Sequence, residues 1–234
     1  MQILAFDTST HVGSMALLSQ GELIAERSVT VRASHGEALL PELVELLRQC
    51  GAHLRDVDLF AVGIGPGAFT GVRIGVATAK GLALAERKPL VGVTSLQVLA
   101  RGAGVGSGYS VPIVDAYKGE VYAAVYQHDG TAQGDLLEVV APFHATPEVS
   151  AARIRASCGA EPLWWFGSAG GRYGDSLSRL LGPTARRCPA FCGIPRAACL
   201  AHEAARSFAV RGPDDSATLE PLYVRPSDAK LKTA

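Results

Sequence analysis

The chain has 234 residues, 48% of them hydrophobic, and its 22 basic and 22 acidic side chains give a formal net charge of zero. That length can bury a full core in one large or two small domains, and the balanced charge excludes a molecule-wide footprint for nucleic acid, a membrane surface or an acidic substrate. Five cysteines, no signal-peptide pattern in the opening "MQILAFDTST" and no apolar run of spanning length predict a cytoplasmic protein with reduced thiols and no membrane contact.

Residues 1–9 read as a strand ending in Asp7, residues 12–18 as a second and 22–31 as a third, with Gln20-Gly21 as the hairpin turn. Residues 36–50 carry leucines at helical spacing, stop at Gly51 and place Pro41 near the helix start; Ser34 reads as the cap. "VDLFAVGIG" is a buried strand, residues 70–86 a second helix and "PLVGV" a parallel strand. "RGAGVGSGYS" marks a hinge. The order then restarts with "VPIVDAY", "EVYAAVYQ", a turn at residues 128–130 and a strand over 136–141. A helix over 146–158, the strand "PLWWFG", part of a helix at 174–181, the strand "TARRC" and a last helix over 194–210 follow.

Each half therefore opens with a strand carrying an aspartate, a short turn and a hairpin: "AFDTSTHVGSMALL" and "IVDAYKGEVYAAVY". Asp7 and Asp115 hold matching places. The fold expected is α/β: two tandem βββαβα halves resembling the actin and ribonuclease H-like plan, with mixed sheets around a parallel core. The divisions are 1–101, a glycine-rich linker over 102–108, and a reduced second half over 109–234.

The glycine loop "GIGPGAFTGVRIGVATAKG" runs from a strand into a helix and suggests a phosphate cradle. A P-loop needs a terminal lysine followed by Ser or Thr, which "GPGAFTGVR" lacks. A dinucleotide fingerprint fits Gly63, Gly65 and Ala68, but the next strand ends without the carboxylate that holds a ribose. Anion capture at the helix N-terminus, assisted by Thr70, Arg73 and Lys80, stays open. Against these stands a tight turn at Gly65-Pro66-Gly67 followed by small residues at Gly71, Gly75, Ala79 and Ala83. Apolar residues fill the remaining faces, which predicts a helix buried on both sides. The expected protein interface comprises Leu39, Leu43 and Leu47 of the first helix with Gly71, Gly75, Thr78, Ala79 and Leu82 of the second.

"ILAFDTST", "SHGEALLPEL", "GIGPGAFTGVRIGVATAKGLA", "DAYKGEVYAAVY" and "PLYVR" together resemble the TsaB family, with Gly65, Pro66, Gly67, Phe69, Thr70, Gly71 and Arg73 forming its loop motif. The resemblance implies a non-catalytic accessory subunit that pairs with TsaD through N-terminal helices, with TsaE as an ATPase partner. TsaD transfers threonylcarbamoyl from threonylcarbamoyl-adenylate to N6 of the adenosine beside the anticodon in tRNAs reading ANN codons. It also implies tRNA reached through the complex, and ATP and a metal ion held by the partners rather than firmly by this chain; the sequence leaves homodimer and monomer both open for the chain alone. TsaD-like chains carry an N-H-L-E-G-H metal segment where this chain reads "TSLQVL", placing Ser95 and Leu99 at the two histidine positions. Neither side chain is a metal ligand of that kind. The family's D-A-R becomes Asp115-Ala116-Tyr117, with Lys118 next, so Asp7, Asp115 and Lys118 read as a vestigial nucleotide site. The alternative is a small ATP-dependent phosphotransferase using Asp7 and Asp115.

Cys188, Cys192, Cys199 and His202 match no paired metal-knuckle spacing and read as structural. His35 reads as part of the helix start, and Trp164 and Trp165 as packing residues. No nucleophile, base and orienter set supports a peptidase.

Overall fold

Gln20 and Gly21 both take positive φ, the backbone of a two-residue hairpin turn, and they fold β2 (Val12–Ser19) against β3 (Glu22–Thr30). The strand before them, β1 (Gln2–Asp7), pairs antiparallel with β2, setting Asp7 opposite Ser14. β4 (Leu59–Gly63) and β5 (Leu90–Val93) join in parallel, giving the order β3-β2-β1-β4-β5. A second sheet is made of β6 (Tyr109–Asp115), β7 (Val121–His128), β8 (Leu136–Ala145), β9 (Leu163–Phe166) and β10 (Ala185–Arg187). Its order, β10-β9-β6-β7-β8, repeats the first, with antiparallel β6, β7 and β8 and parallel β9 and β10. Asp7 and Asp115 are the last residues of β1 and β6. The computed structural model describes residues 1–30, 35–104, 108–128 and 135–225. Ser34, the middle of the expected linker (105–107) and turn residues 129–130 lie outside the described residues.

The two-residue period of a strand sends alternate side chains to opposite faces. On one face of the first sheet, Leu4, Phe6, Met15, Leu17, Phe60 and Val62 pack under α1 (His35–Gln49) and α2 (Phe69–Glu86). On the other, Ile3, Ala5, Leu59, Ala61 and Val91 meet α6 (Ala197–Arg211). The second sheet buries Val111, Ile113, Val125 and Trp165 against α4 (Pro147–Cys158) and α5 (Ala169–Leu181). Its opposite face carries Val114, Ala124, Tyr126 and Phe166, which close on Leu96 and Leu99 of α3 (Ser95–Gly102).

Several elements depart from the sequence expectations. Thr94 caps α3 by accepting the Gln97 N–H, and this eight-residue helix went unread because so short a segment carries little periodicity. Pro41 sits inside α1, not at its start, and is exposed, so water can serve the carbonyl it frees. Gly170 and Gly171 hid the first turn of α5, and Pro195 delays α6 until Ala197. β8 runs four residues beyond its expected end. α6 follows the second half in sequence yet covers the first sheet, and it is tied to α3 by Glu203, whose carboxylate accepts from Gln97 and Arg101. Burial works to raise the Glu203 pKa, but His202, Arg101 and Gln97 outweigh it and hold the group below its ordinary value.

Candidate partner face and the closed aspartate site

β1 delivers Asp7 to a position with no solvent exposure. Its Oδ1 accepts the Ser9 N–H at 2.7 Å and the Ser9 hydroxyl at 2.6 Å, while Oδ2 accepts the Ser95 hydroxyl at 2.6 Å. Ser95 Oγ in turn accepts the Gly65 N–H at 3.2 Å. Gly63 presses so closely on Oδ2 that a Cβ there would overlap the carboxylate. Both acceptor directions of Oδ1 are filled, and Oδ2 is walled by Ser95 and Gly63. A magnesium ion keeps several waters in an octahedral shell, and a carboxylate with no solvent exposure that already accepts three hydrogen bonds presents no open side to one. The donor set does not fit a metal-bound nucleotide at Asp7. Ser95 and Leu99 are both almost fully buried: the first serves Asp7 and the second packs against the second sheet.

The glycine loop is zipped to the same turn. Gly65 takes φ +87°, precedes a cis Pro66, and accepts the Ser95 N–H at 2.7 Å. Ala68 donates to Ser9 O at 2.7 Å, and a Cβ on Gly67 would overlap that carbonyl. The Gly65 and Ala68 amides are thus spent inside the chain, which weakens the phosphate-cradle reading. Gly71 O accepts the Thr8 hydroxyl at 2.8 Å, and Gly75 faces Thr8 Oγ1 with no space for a side chain. The small-residue stripe brings α2 onto its own sheet.

That packing redirects the expected interface. Leu39, Leu43, Leu47, Gly71, Gly75 and Ala79 are buried within the chain, and Thr78 and Leu82 are half-buried. None of the six buried residues offers a side chain to a partner. The helix is also not buried on both sides, because the opposite face of the α1–α2 layer is open and still apolar. Leu84 is 77% exposed, Val44 50% and Leu40 46%. Phe69 and Thr70 are exposed at the start of α2, where Arg73 stacks 3.6 Å from the Phe69 ring centroid and donates to the Tyr223 hydroxyl at 2.6 Å. Leu40 with Val44, four apart, is a helical pair visible in the sequence; the stronger core pattern of Leu39, Leu43 and Leu47 masked it. Ser9, Ser95 and Tyr223 had no local signal, since their partners are set by the fold.

Asp115 has different surroundings. Its Oδ1 accepts the Tyr117 N–H at 2.8 Å, its own N–H donates to Ser168 Oγ, and Arg172 lies 4.0 Å away. Tyr117 and Lys118 both take left-handed φ and turn the chain into β7, so Asp115 acts as a turn former. A cleft of about 430 Å³ between the halves is lined by Thr10, His11, Ser168, Arg187, Cys188 and Phe191 among others, but by neither aspartate nor Lys118. Trp165 is fully buried beneath Arg187, and burial pushes the Cys188 thiol up to about 11. Among the described residues no cluster of three or more His, Cys, Asp or Glu could hold a metal ion, and no helix is long and apolar enough to cross a membrane.

The family profile described as "TsaD: tRNA N6-adenosine threonylcarbamoyltransferase" matches residues 28–147, about half of the chain. The chain is similar to the tRNA threonylcarbamoyladenosine biosynthesis protein TsaB of Escherichia coli (strain K12), at 41% identity over 60% of this chain and 62% of that protein. The chain belongs to the TsaD family, on its TsaB branch. Alignment with the curated TsaB proteins spans only about 52–62% of their length. The likeness to a solved structure runs further: YeaZ from Pseudomonas aeruginosa superposes with a TM-score of 0.82 at 31% identity, covering 95% of this chain and 99% of that one. The activator of the 2-hydroxyisocaproyl-CoA dehydratase from Clostridium difficile, at 12% identity and a TM-score of 0.50, covers 92% of this chain and 99% of its own, and shares the actin-like fold alone. In this chain the motif "GPGAFTGVR" is the loop that locks Ser9 and Ser95 around Asp7.

Proposed function

We propose that this chain is a non-catalytic subunit of tRNA threonylcarbamoyladenosine biosynthesis that pairs with a TsaD transferase, with TsaE as a further partner. The observation that carries this reading is the outer face of the α1–α2 layer, where Leu40 and Val44 of α1, Leu84 near the end of α2 and the stacked Phe69 and Arg73 at its start stay exposed. Several large apolar side chains left exposed on one helical layer favour a protein contact, and the family relationship suggests the partner. The closed Asp7 cage supports assigning ATP, the metal ion and the transfer chemistry to the partners, and argues against the phosphotransferase alternative. tRNA is reached through the complex. In the partner's absence the same face would close two copies into a homodimer.

Copurification with TsaD and a reconstituted modification assay test this. Stable co-elution and a dependence of tRNA modification on this chain are expected. Full modification by TsaD and TsaE in its absence overturns the reading.

A further inference from the structure

Over the described residues 212–225, beyond α6, the chain crosses the first half without a helix or strand, and the two ends of this stretch are anchored differently. On the first half, the Asp214 N–H donates to Leu90 O, its carboxylate accepts the Gly92 N–H at 2.8 Å, and the Leu219 side chain packs over Gly92 into the core. Leu222 donates to Ile64 O at 2.8 Å. Lys80 reaches from α2 over the segment and donates to the Ala217 and Leu219 carbonyls, both at 3.1 Å. Tyr223 then lies against Phe69, ring centroids 5.6 Å apart, and accepts from Arg73.

At Arg225 the segment reaches the second half. Nη1 donates to Ala116 O at 3.2 Å and stands 3.4 Å from the Glu120 carboxylate. These two residues close the β6–β7 turn, since the Ala116 N–H donates to Glu120 O and the Glu120 N–H to Tyr117 O. Inside it, Tyr117 and Lys118 hold consecutive left-handed conformations without glycine. Such backbone is costly and persists where the surroundings over-determine it. Arg225 supplies one such contact from outside the turn.

We propose that residues 214–225 form a strap in which the Arg73–Tyr223 stack on α2 holds Arg225 in place, so that the Asp115-bearing turn is coupled to the α2 face across the two halves. The first-half anchor combines the half-buried Leu219 with hydrogen bonds at Asp214, Ala217, Leu219 and Leu222, whereas the second-half latch rests on Arg225, so the latch is the end that opens. A ligand or protein that takes Tyr223 off Arg73 would slacken the turn.

Hydrogen exchange of the full chain tests the coupling, with the Ala116 and Glu120 amides as reporters. Arg225→Ala should speed their exchange by about threefold or more, and Arg73→Ala should do the same although it touches no part of the turn. The double variant should exchange no faster than Arg225→Ala alone. Amides of β4 and of the middle of α2 should be unchanged. The proposal is overturned if Arg73→Ala leaves both reporters at their original rates, or if exchange rises uniformly through the first half, which would mean general loosening.

Discussion

Gly67 and Gly81 lie fourteen positions apart in one motif and do opposite things. A Cβ on Gly67 would overlap the Ser9 carbonyl, and backbone cannot step aside, so Gly67→Ala should lose about 1–3 kcal/mol in urea denaturation. Gly81 is exposed in α2 with nothing near its missing Cβ, so Gly81→Ala should gain about 0.5–1 kcal/mol in the same measurement. Glu203 gives a pH prediction. Its folded pKa lies below its ordinary value, so its contribution is complete above about pH 4.3 and is lost as the pH falls through the folded value. Glu203→Gln should therefore be less stable at neutral pH and flatter than the parent in stability measured between pH 6 and 3. At this scale the sequence made Asp7 conspicuous as a carboxylate at the end of a strand. It could not show the cage, because Ser95 is 88 positions away and a lone serine carries no pattern.

The helices show what periodicity can and cannot orient. α1 announced its core side through Leu39, Leu43 and Leu47, but α2 is small or apolar on most positions and gave no direction until the sheet and Thr8 were in place. The expected interface residues lie on the inner sides of α1 and α2, whereas Leu40, Val44 and Leu84 are exposed on the outer sides. The two sides separate cleanly by mutation. A charge at Leu43 falls in a fully buried site and should unfold the chain, so it reports on the core. Val44→Asp with Leu84→Asp should leave the unfolding midpoint within about 0.5 kcal/mol of the parent, as surface changes do. The same pair should abolish TsaD co-elution. A double variant that still binds would move the contact elsewhere. α3 escaped notice for lack of length, although Thr94 before "SLQVL" was a cap signal.

For the whole molecule, the doubled plan was legible because each half repeats a strand, an aspartate and a hairpin, and the two sheet orders match strand for strand. The division of labour between halves was not legible. No local signal shows that α6 will leave the sheet it follows and cover Ile3, Ala5, Leu59 and Val91 instead. Residues 1–104 expressed alone should accordingly expose that face, bind a hydrophobic dye and aggregate; a soluble, dye-silent fragment would contradict the assignment. The same crossing bears on how the protein is made. On the ribosome, the first sheet can assemble early on its α1–α2 side, yet its other side stays bare until the entire second half and α6 have been synthesised. At roughly 5–20 residues per second, that bare face waits for several seconds. The nascent chain therefore passes through a half-covered stage in which one face of its first sheet is open to other contacts until α6 arrives.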